Sequence, residues 1–330
     1  MVGVTRDSSP TPPADARSED TAAPPVPVTA PHSAPTWLVV VAASVTVLAW
    51  ASAFVVIRYA GPFYSPGSLS LGRLVIGSLA LTLFMVGRRR VRLDRREWGL
   101  VTLVGVAWFG VYNVALNAGE LHVDAGTAAM LIQLAPILIG VLAGLLLGEG
   151  FPRMLVIGGL VAFAGTLLIG IATSTGQANV VGVLLVLLAA VVYAVATIAQ
   201  KIVLRRIPGL QVTWLACTIG MVACLPFAGS LLADARQAPA SATLGVVYLG
   251  VFPTAVAFST WAYALARSDA GRLGATTYVV PPVTIALGWL ILGEVPQWLA
   301  VVGGLVSLVG VGIARSGPRR SAATAPPEPA

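Results

Sequence analysis

The chain has 330 residues, of which 57% are hydrophobic and only 10% charged, whereas a soluble domain carries about 25% charge. That much apolar side chain cannot be hidden behind so little polar surface, which excludes a water-soluble globule and makes lipid the solvent. The formal net charge of +7 fits loops that hold arginine at the cytoplasmic face of a membrane, and is not read as a nucleic-acid footprint.

Residues 1–36 are rich in Pro, Ala, Ser and Thr and mix both charge signs. They are too polar to bury a core and read as a disordered cytoplasmic tail without a signal peptide's basic-then-apolar start. A helix needs about 20 consecutive apolar residues to cross a bilayer. Ten stretches meet that requirement: 37–57, 67–86, 98–118, 125–147, 154–172, 180–200, 211–232, 241–265, 273–293 and 295–314. Nine of them contain no Asp, Glu, Lys or Arg, and the second contains only Arg73. Continuous apolar runs of this length exclude the alternating, shorter strands of a lipid barrel. The expected fold is all-α integral membrane, with ten transmembrane helices. Residues 316–330 (SGPRRSAATAPPEPA) form a second cytoplasmic tail. Cys217 and Cys224 share one apolar stretch, too far apart along a helix to bridge, and read as two small buried thiols.

Orientation follows from the basic residues. Seventeen of the 20 Lys and Arg fall on the side of the N-terminus; Arg58 and Arg236 lie opposite, and Arg73 lies within a span. Both termini are therefore expected in the cytoplasm, in the cell membrane of the host.

The second half repeats the first at an offset of 145 residues. Asp124-Ala125-Gly126 matches Asp269-Ala270-Gly271, Pro136 matches Pro281, Gly148-Glu149 matches Gly293-Glu294, Gly158-Gly159 matches Gly303-Gly304, and Gly165 matches Gly310. Earlier in each half, Trp50–Arg58 aligns with Tyr193–Lys201 at offset 143. Residues 37–172 and 180–315 thus read as two five-helix units. An odd number of spans forces the second copy to enter from the opposite side, giving an inverted repeat of the kind secondary transporters use for alternating access.

The segment Trp50-Ala-Ser-Ala-Phe54, Gly72-Arg73-Leu74, and the pair Leu134-Ala-Pro136…Gly148-Glu149 and Val279-Val-Pro281-Pro…Gly293-Glu294 resemble the EamA-domain branch of the drug/metabolite transporter superfamily in its ten-helix form. The resemblance spans about residues 37–315. It implies export or exchange of small metabolites, amino acids or drug-like molecules, without naming which.

Candidate pathway residues follow from chemistry that hydrocarbon penalises. Pro136 and Pro281 sit mid-span, where a proline frees a carbonyl; Pro226 and Pro253 lack counterparts and read as ordinary kinks. Arg73, the single charge within a span, either snorkels outward or faces the bundle to bind an anionic group or a carbonyl. Buried amides require partners, so Asn113, Asn117 and Gln133 are expected to face inward. Trp50, Tyr193 and Tyr278 join them as cavity candidates, with Trp108, Gln200, Tyr248, Trp261 and Tyr263 as further polar or aromatic residues within spans. Glu149 and Glu294 end their spans and are gate or coupling candidates, or carboxylates that pack the repeat. With no carboxylate inside a span, coupling is expected to be absent or to run through an interfacial acid such as Glu149. The glycine runs Gly140-x3-Gly144, Gly158-Gly159 and Gly303-Gly304 are expected to let helices approach closely.

Other classes fit poorly. The single Lys, Lys201, is followed by Ile, so no phosphate-binding loop is present. Glu120-Leu-His122-Val-Asp124 is a short polar loop and no closed metal site. No cofactor, metal or catalytic residue is expected; an intramembrane enzyme or a non-transporting receptor is the alternative. The expected partners are the lipid bilayer and a small-molecule substrate, with a homo-oligomer left open.

Overall fold

The computed structural model describes residues 2–3, 35–119, 121–123, 128, 131–174, 179–293 and 295–316. From Ala34 onward they belong to one body. Its helices are α1 (Thr36–Ala60), α2 (Pro66–Met85), α3 (Arg95–Gly119), α4 (Ala135–Leu146), α5 (Arg153–Thr173), α6 (Val180–Val203), α7 (Gly209–Ala223), α8 (Ala228–Gln237), α9 (Ala240–Arg267), α10 (Ala270–Ile291) and α11 (Trp298–Ser316). Among the described residues none forms a strand apart from a single bridge position, Val123. Eight of these helices are long and apolar enough to cross a membrane, and α7 with α8, bent by 52°, makes a ninth. The stretch read as the fourth span, 125–147, begins largely outside the described residues; its described helix, α4, has 12 residues. Large apolar side chains such as Leu79, Leu83, Leu145, Leu184, Leu290 and Leu305 point outward, exposed, as a lipid solvent requires.

Polar contacts fix the two ends of the bundle. At the arginine-rich end, Asp94 and Glu97 form a capping box that starts α3, and Arg206 pairs with the same Glu97 carboxylate. There too the Lys201 ammonium donates to the carbonyls of Leu265 and Ser268, both at 2.6 Å. At the opposite end, Asp234 of α8 accepts from the Ser65 N–H at 2.9 Å and from the Ser68 hydroxyl, capping α2 from a distant part of the chain. Tyr64 bonds Thr243 and Tyr59 bonds Ser241 at that end.

The two offset-matched glycine pairs meet crosswise in space. Gly158 of α5 lies against Gly310 of α11, and Gly165 lies against Gly303. Each contact is therefore the image of the other under exchange of the two halves. An added Cβ at Gly158 would come within 2.2 Å of the Ala314 nitrogen, and one at Gly310 within 2.2 Å of the Ala162 nitrogen, so only glycine permits this backbone-on-backbone crossing. The Tyr278 hydroxyl donates at 3.1 Å to the carbonyl of Gln133, its own offset partner. Trp50 and Tyr193, matched at offset 143, have ring centroids 6.4 Å apart.

Helices α3 and α9 each contain a π-helical segment, Gly105–Tyr112 and Gly250–Val256. These begin at offset-matched glycines, so Pro253, read from the sequence as an isolated kink, belongs to a feature that both halves share. The extra residue is accommodated differently in each. In α9, Thr254 donates to the Leu249 carbonyl at 2.8 Å and Pro253 has no N–H to lose; in α3, the Asn113 amide covers the carbonyls of Trp108 and Phe109 at 3.1 and 3.0 Å.

The other prolines also act differently from a mid-helix kink. Pro136 is in the first turn of α4. Pro281 follows a 3-10 turn over Thr277–Val279 and opens the second half of α10. In a first turn the missing N–H has no partner to lose, so these prolines start helical segments in the middle of a span. Pro226 lies in the short 3-10 turn joining α7 and α8. Gly148 and Gly293 both adopt φ of +70°, the left-handed conformation that ends a helix, which explains why glycine precedes each glutamate.

Candidate functional site

A cavity of about 380 Å³ enters the bundle from the end opposite the arginines. Arg58, Gly61, Tyr64 and Pro66 lie at its mouth, and Gln133, Val280 and Pro281 line its depth. Its wall is mostly apolar, from Phe54, Ile57, Leu69, Leu116 and Ile132; Asn117, Gln133, Thr173 and Thr284 supply polar atoms. Among its described lining residues Arg58 carries the one charge. Asn117 is held by Ser70 at 3.1 Å through its amide nitrogen. Gln133 is buried, and its amide nitrogen has no hydrogen-bond partner among the described residues. An unpaired buried donor costs about 1–3 kcal/mol, so a donor left unused on a cavity wall is suited to an arriving acceptor.

An aromatic cluster fills the core beside the α1 stretch that carries Phe54. Trp50 lies 5.2 Å from Trp261 and 5.3 Å from Phe258, ring centre to ring centre. Trp108 lies 4.8 Å from Tyr193 and 5.0 Å from Phe258. Trp50 also donates through Nε1 to the Pro253 carbonyl at 3.3 Å, tying α1 to the π segment of α9. Each aromatic pair adds about 0.5–1.5 kcal/mol beyond area burial, and Trp108 and Trp261 are almost wholly buried.

At the arginine-rich end, Glu149 reaches across to the start of α10. Its two carboxylate oxygens accept from the N–H groups of Ala270 and Gly271 at 2.7 and 3.0 Å, where the helix dipole favours negative charge. The carboxylate thus ties the connection between α4 and α5 to the beginning of α10.

The structure brings Asn117, Gln133 and Pro281 together on the cavity wall, and Trp50 and Tyr193 together in the aromatic cluster. Tyr278 lies behind Gln133, and Pro136 is buried outside the cavity lining. Arg73 is buried rather than snorkelling; its Nε donates to Thr254 at 3.1 Å, and it is not among the cavity-lining residues. Asn113 serves its own helix rather than a cavity. Glu294, with Ala125 and Gly126, lies outside the described residues. Sequence reasoning missed Thr284, which lines the cavity and donates to the Ala51 carbonyl at 3.3 Å; its place one turn after Pro281 was the available signal. Phe258 and Thr254 were missed as well, and the Gly105/Gly250 match was the clue to their helix.

Residues 37–171 and 180–315 each match the EamA-like transporter family. The chain belongs to the EamA-like transporter family. As an EamA-like protein it is a multi-pass membrane protein that transports small molecules. It is 39% identical over 284 residues to a "probable terminal-alkyne amino-acid exporter" of Streptantibioticus cattleyicolor, spanning 84% of this chain and 95% of that one. It is 34% identical to the uncharacterized transporter YdfC of Bacillus subtilis, over 79% of this chain and 86% of the other. A "probable amino-acid metabolite efflux pump" of Salmonella typhimurium is 25% identical, over 82% and 92% of the two chains. A solved crystal structure with 22% identity superposes with a TM-score of 0.70, covering 84% of this chain and 96% of its own; that likeness concerns the fold.

Proposed function

We propose that this EamA-like transporter exports small amino acids or amino-acid-like metabolites with apolar side chains, by alternating access between two inverted five-helix repeats of a ten-span bundle. Seventeen of the 20 basic residues lie toward the arginine-rich end, which supports a cytoplasmic location for that end and both termini, in the cell membrane. The cavity then opens outward, and the Glu149 clamp closes the inner end.

The observation that carries this reading is the cavity: an apolar wall and a buried Gln133 amide donor that has no partner among the described residues. A ligand with a carboxylate head and a short apolar tail matches it, and about 380 Å³ is within the range of small-molecule sites. The names of two relatives, an exporter and an efflux pump, point to amino acids. The mechanism is exchange or facilitated efflux, or coupling through an interfacial acid such as Glu149, and no catalytic role is assigned.

The test is counterflow in proteoliposomes with labelled L-propargylglycine and L-norvaline as probes. Exchange of either, falling about tenfold in Gln133→Leu as expected for one lost hydrogen bond of ordinary strength, supports the reading. No exchange of either probe removes the substrate assignment.

A further inference from the structure

Four buried polar atoms remain without partners among the described residues, on the arginine-rich side of Tyr193: the Thr197 hydroxyl, both the amide nitrogen and oxygen of Gln200, and Trp261 Nε1. Thr197 and Gln200 are fully buried and Trp261 nearly so. Tyr193, Thr197 and Gln200 recur at spacings of four and three, so they share one face of α6. Trp261 belongs to the facing part of α9: its ring lies 6.4 Å from that of Tyr193, and Lys201 bonds the Leu265 carbonyl one turn further on. Helices α6 and α9 run in the same direction here, which places Trp261 at about the level of Thr197. The Tyr193 hydroxyl, with Thr277 of α10 beside it, marks the upper limit of this region.

Buried polar atoms in native proteins are nearly all hydrogen-bonded. Leaving one buried and unpaired costs about 1–3 kcal/mol, and several in one place are not a packing solution that lipid or protein favours. None of the three residues lines the 380 Å³ cavity or the second, 220 Å³ one beside Arg267 and Arg315. The neighbouring Lys201 does not pair with them; its ammonium donates to two carbonyls instead.

We infer that the Tyr193–Thr197–Gln200 face of α6 and Trp261 of α9 form a second ligand site, closed in this conformation and open toward the arginine-rich end in the alternate one. The site offers donors from Trp261, Gln200 and the hydroxyls, acceptors from Gln200 and the hydroxyls, and no net charge. It therefore takes a net-neutral head group that both donates and accepts, as a zwitterion does. When the Glu149 clamp releases α10, the orphaned atoms gain water or ligand, so the energy stored in them favours the opening. This inference rests on the alternating-access reading, but not on the identity of the substrate.

Two measurements decide it. Thr197→Cys, made with Cys217 and Cys224 replaced by Ala, is exposed to a membrane-impermeant thiol reagent in right-side-out and inverted vesicles. Modification from the arginine-rich side alone, faster when Glu149→Gln is added, supports the site. No modification from either side, or modification from the opposite side, overturns it, and this arm needs no transported probe. In the second, Gln200→Leu and Thr197→Val are compared with the wild type in thermal melting and in counterflow of L-propargylglycine. The site predicts melting temperatures unchanged or raised, with exchange reduced about tenfold, the size of one hydrogen bond of ordinary strength. Thr197→Ser retains exchange. Exchange unchanged in both apolar variants would mean that the orphaned atoms are only an internal packing feature. A wild type that moves no probe overturns the substrate assignment, and the cysteine arm still decides the site.

Discussion

The α5–α11 pair and the α6–α9 interior are both buried contacts, yet they are built in opposite ways. Between α5 and α11 the chains approach until backbone touches backbone, through Gly158, Gly165, Gly303 and Gly310, and Ser307 and Thr166 spend their hydroxyls on nearby carbonyls. Between α6 and α9 the contacts are large rings and unpaired polar atoms, and α9 there carries a π segment. A seam without slack is an axis that stays fixed, whereas rings slide and polar atoms can change partners. The two regions thus set a seam that holds α5 to α11 against an interior with room to rearrange.

The largest expected effect breaks the fixed seam. A leucine at Gly158 must displace the α11 backbone, since even its Cβ would lie 2.2 Å from the Ala314 nitrogen; overpacking of this kind costs about 3 kcal/mol. Gly158→Leu should abolish monodisperse protein in detergent gel filtration. The adjacent Gly159 has open space at its Cβ, so Gly159→Leu should elute as the wild type does. If both variants behave alike, the seam is looser than its geometry.

The next effect concerns the moving part. Pro281 begins the second half of α10 after a 3-10 turn. Pro281→Ala restores one N–H and relaxes φ at that position, while Pro282 beside it still lacks its own N–H, so the break is weakened rather than removed. Counterflow should fall about tenfold, a change of about 1.4 kcal/mol and well within the penalty that separates proline from alanine in a helix interior. Pro226, in the turn between α7 and α8, should tolerate alanine with less than about a twofold change. Equal losses at the two sites would deny α10 a special part in transport. Smaller still is Glu149→Gln, which keeps the shape but gives up charge-assisted bonds worth about 1.5–3 kcal/mol. The amide loses one acceptor, so part of the tie to Ala270 and Gly271 survives, and the expected result is faster thiol labelling of Ser268→Cys from the arginine-rich side.

How much of this was legible in the sequence depends on which property the lipid tests. Membrane class and most helix positions follow from length and hydropathy, because every backbone group in hydrocarbon has to be paired within its own segment. The offset matches at Pro136/Pro281 and Gly148/Gly293 were legible because proline and glycine are chosen for backbone reasons that survive divergence. Their roles were not. The prolines read as mid-span pathway candidates, and that they also start helical segments was hidden because the 3-10 turn over Thr277–Val279 has no composition of its own. The π segments were hidden for the same reason: Asn113 covers the freed carbonyls in one copy, and Thr254 covers that of Leu249 in the other. Nor does sequence tell a satisfied amide from an orphaned one. Asn113, Asn117, Gln133 and Gln200 are alike as letters, and only their neighbours separate helix repair from cavity wall and from the closed site.

The smallest effect tests a motif that sequence over-read. Gly140 and Gly144, four apart on α4, have the spacing of a helix-packing pair, but only one of them packs tightly. A Cβ at Gly144 would meet the Phe151 ring at 2.5 Å, while one at Gly140 would meet nothing within 4 Å. Gly140 is instead approached from the other side, because a Cβ on Gly271 would lie 3.4 Å from its Cα. Alanine at Gly140 therefore adds helix propensity without a clash, an expected gain of about 0.5–1 kcal/mol and a melting temperature slightly raised. Transport should be unchanged only if α4 and α10 keep this spacing throughout the cycle. A stabilised Gly140→Ala variant that exchanges its probe more slowly would show that α10 closes onto α4 in the alternate state, and would extend the moving region to the helix beside the Glu149 clamp.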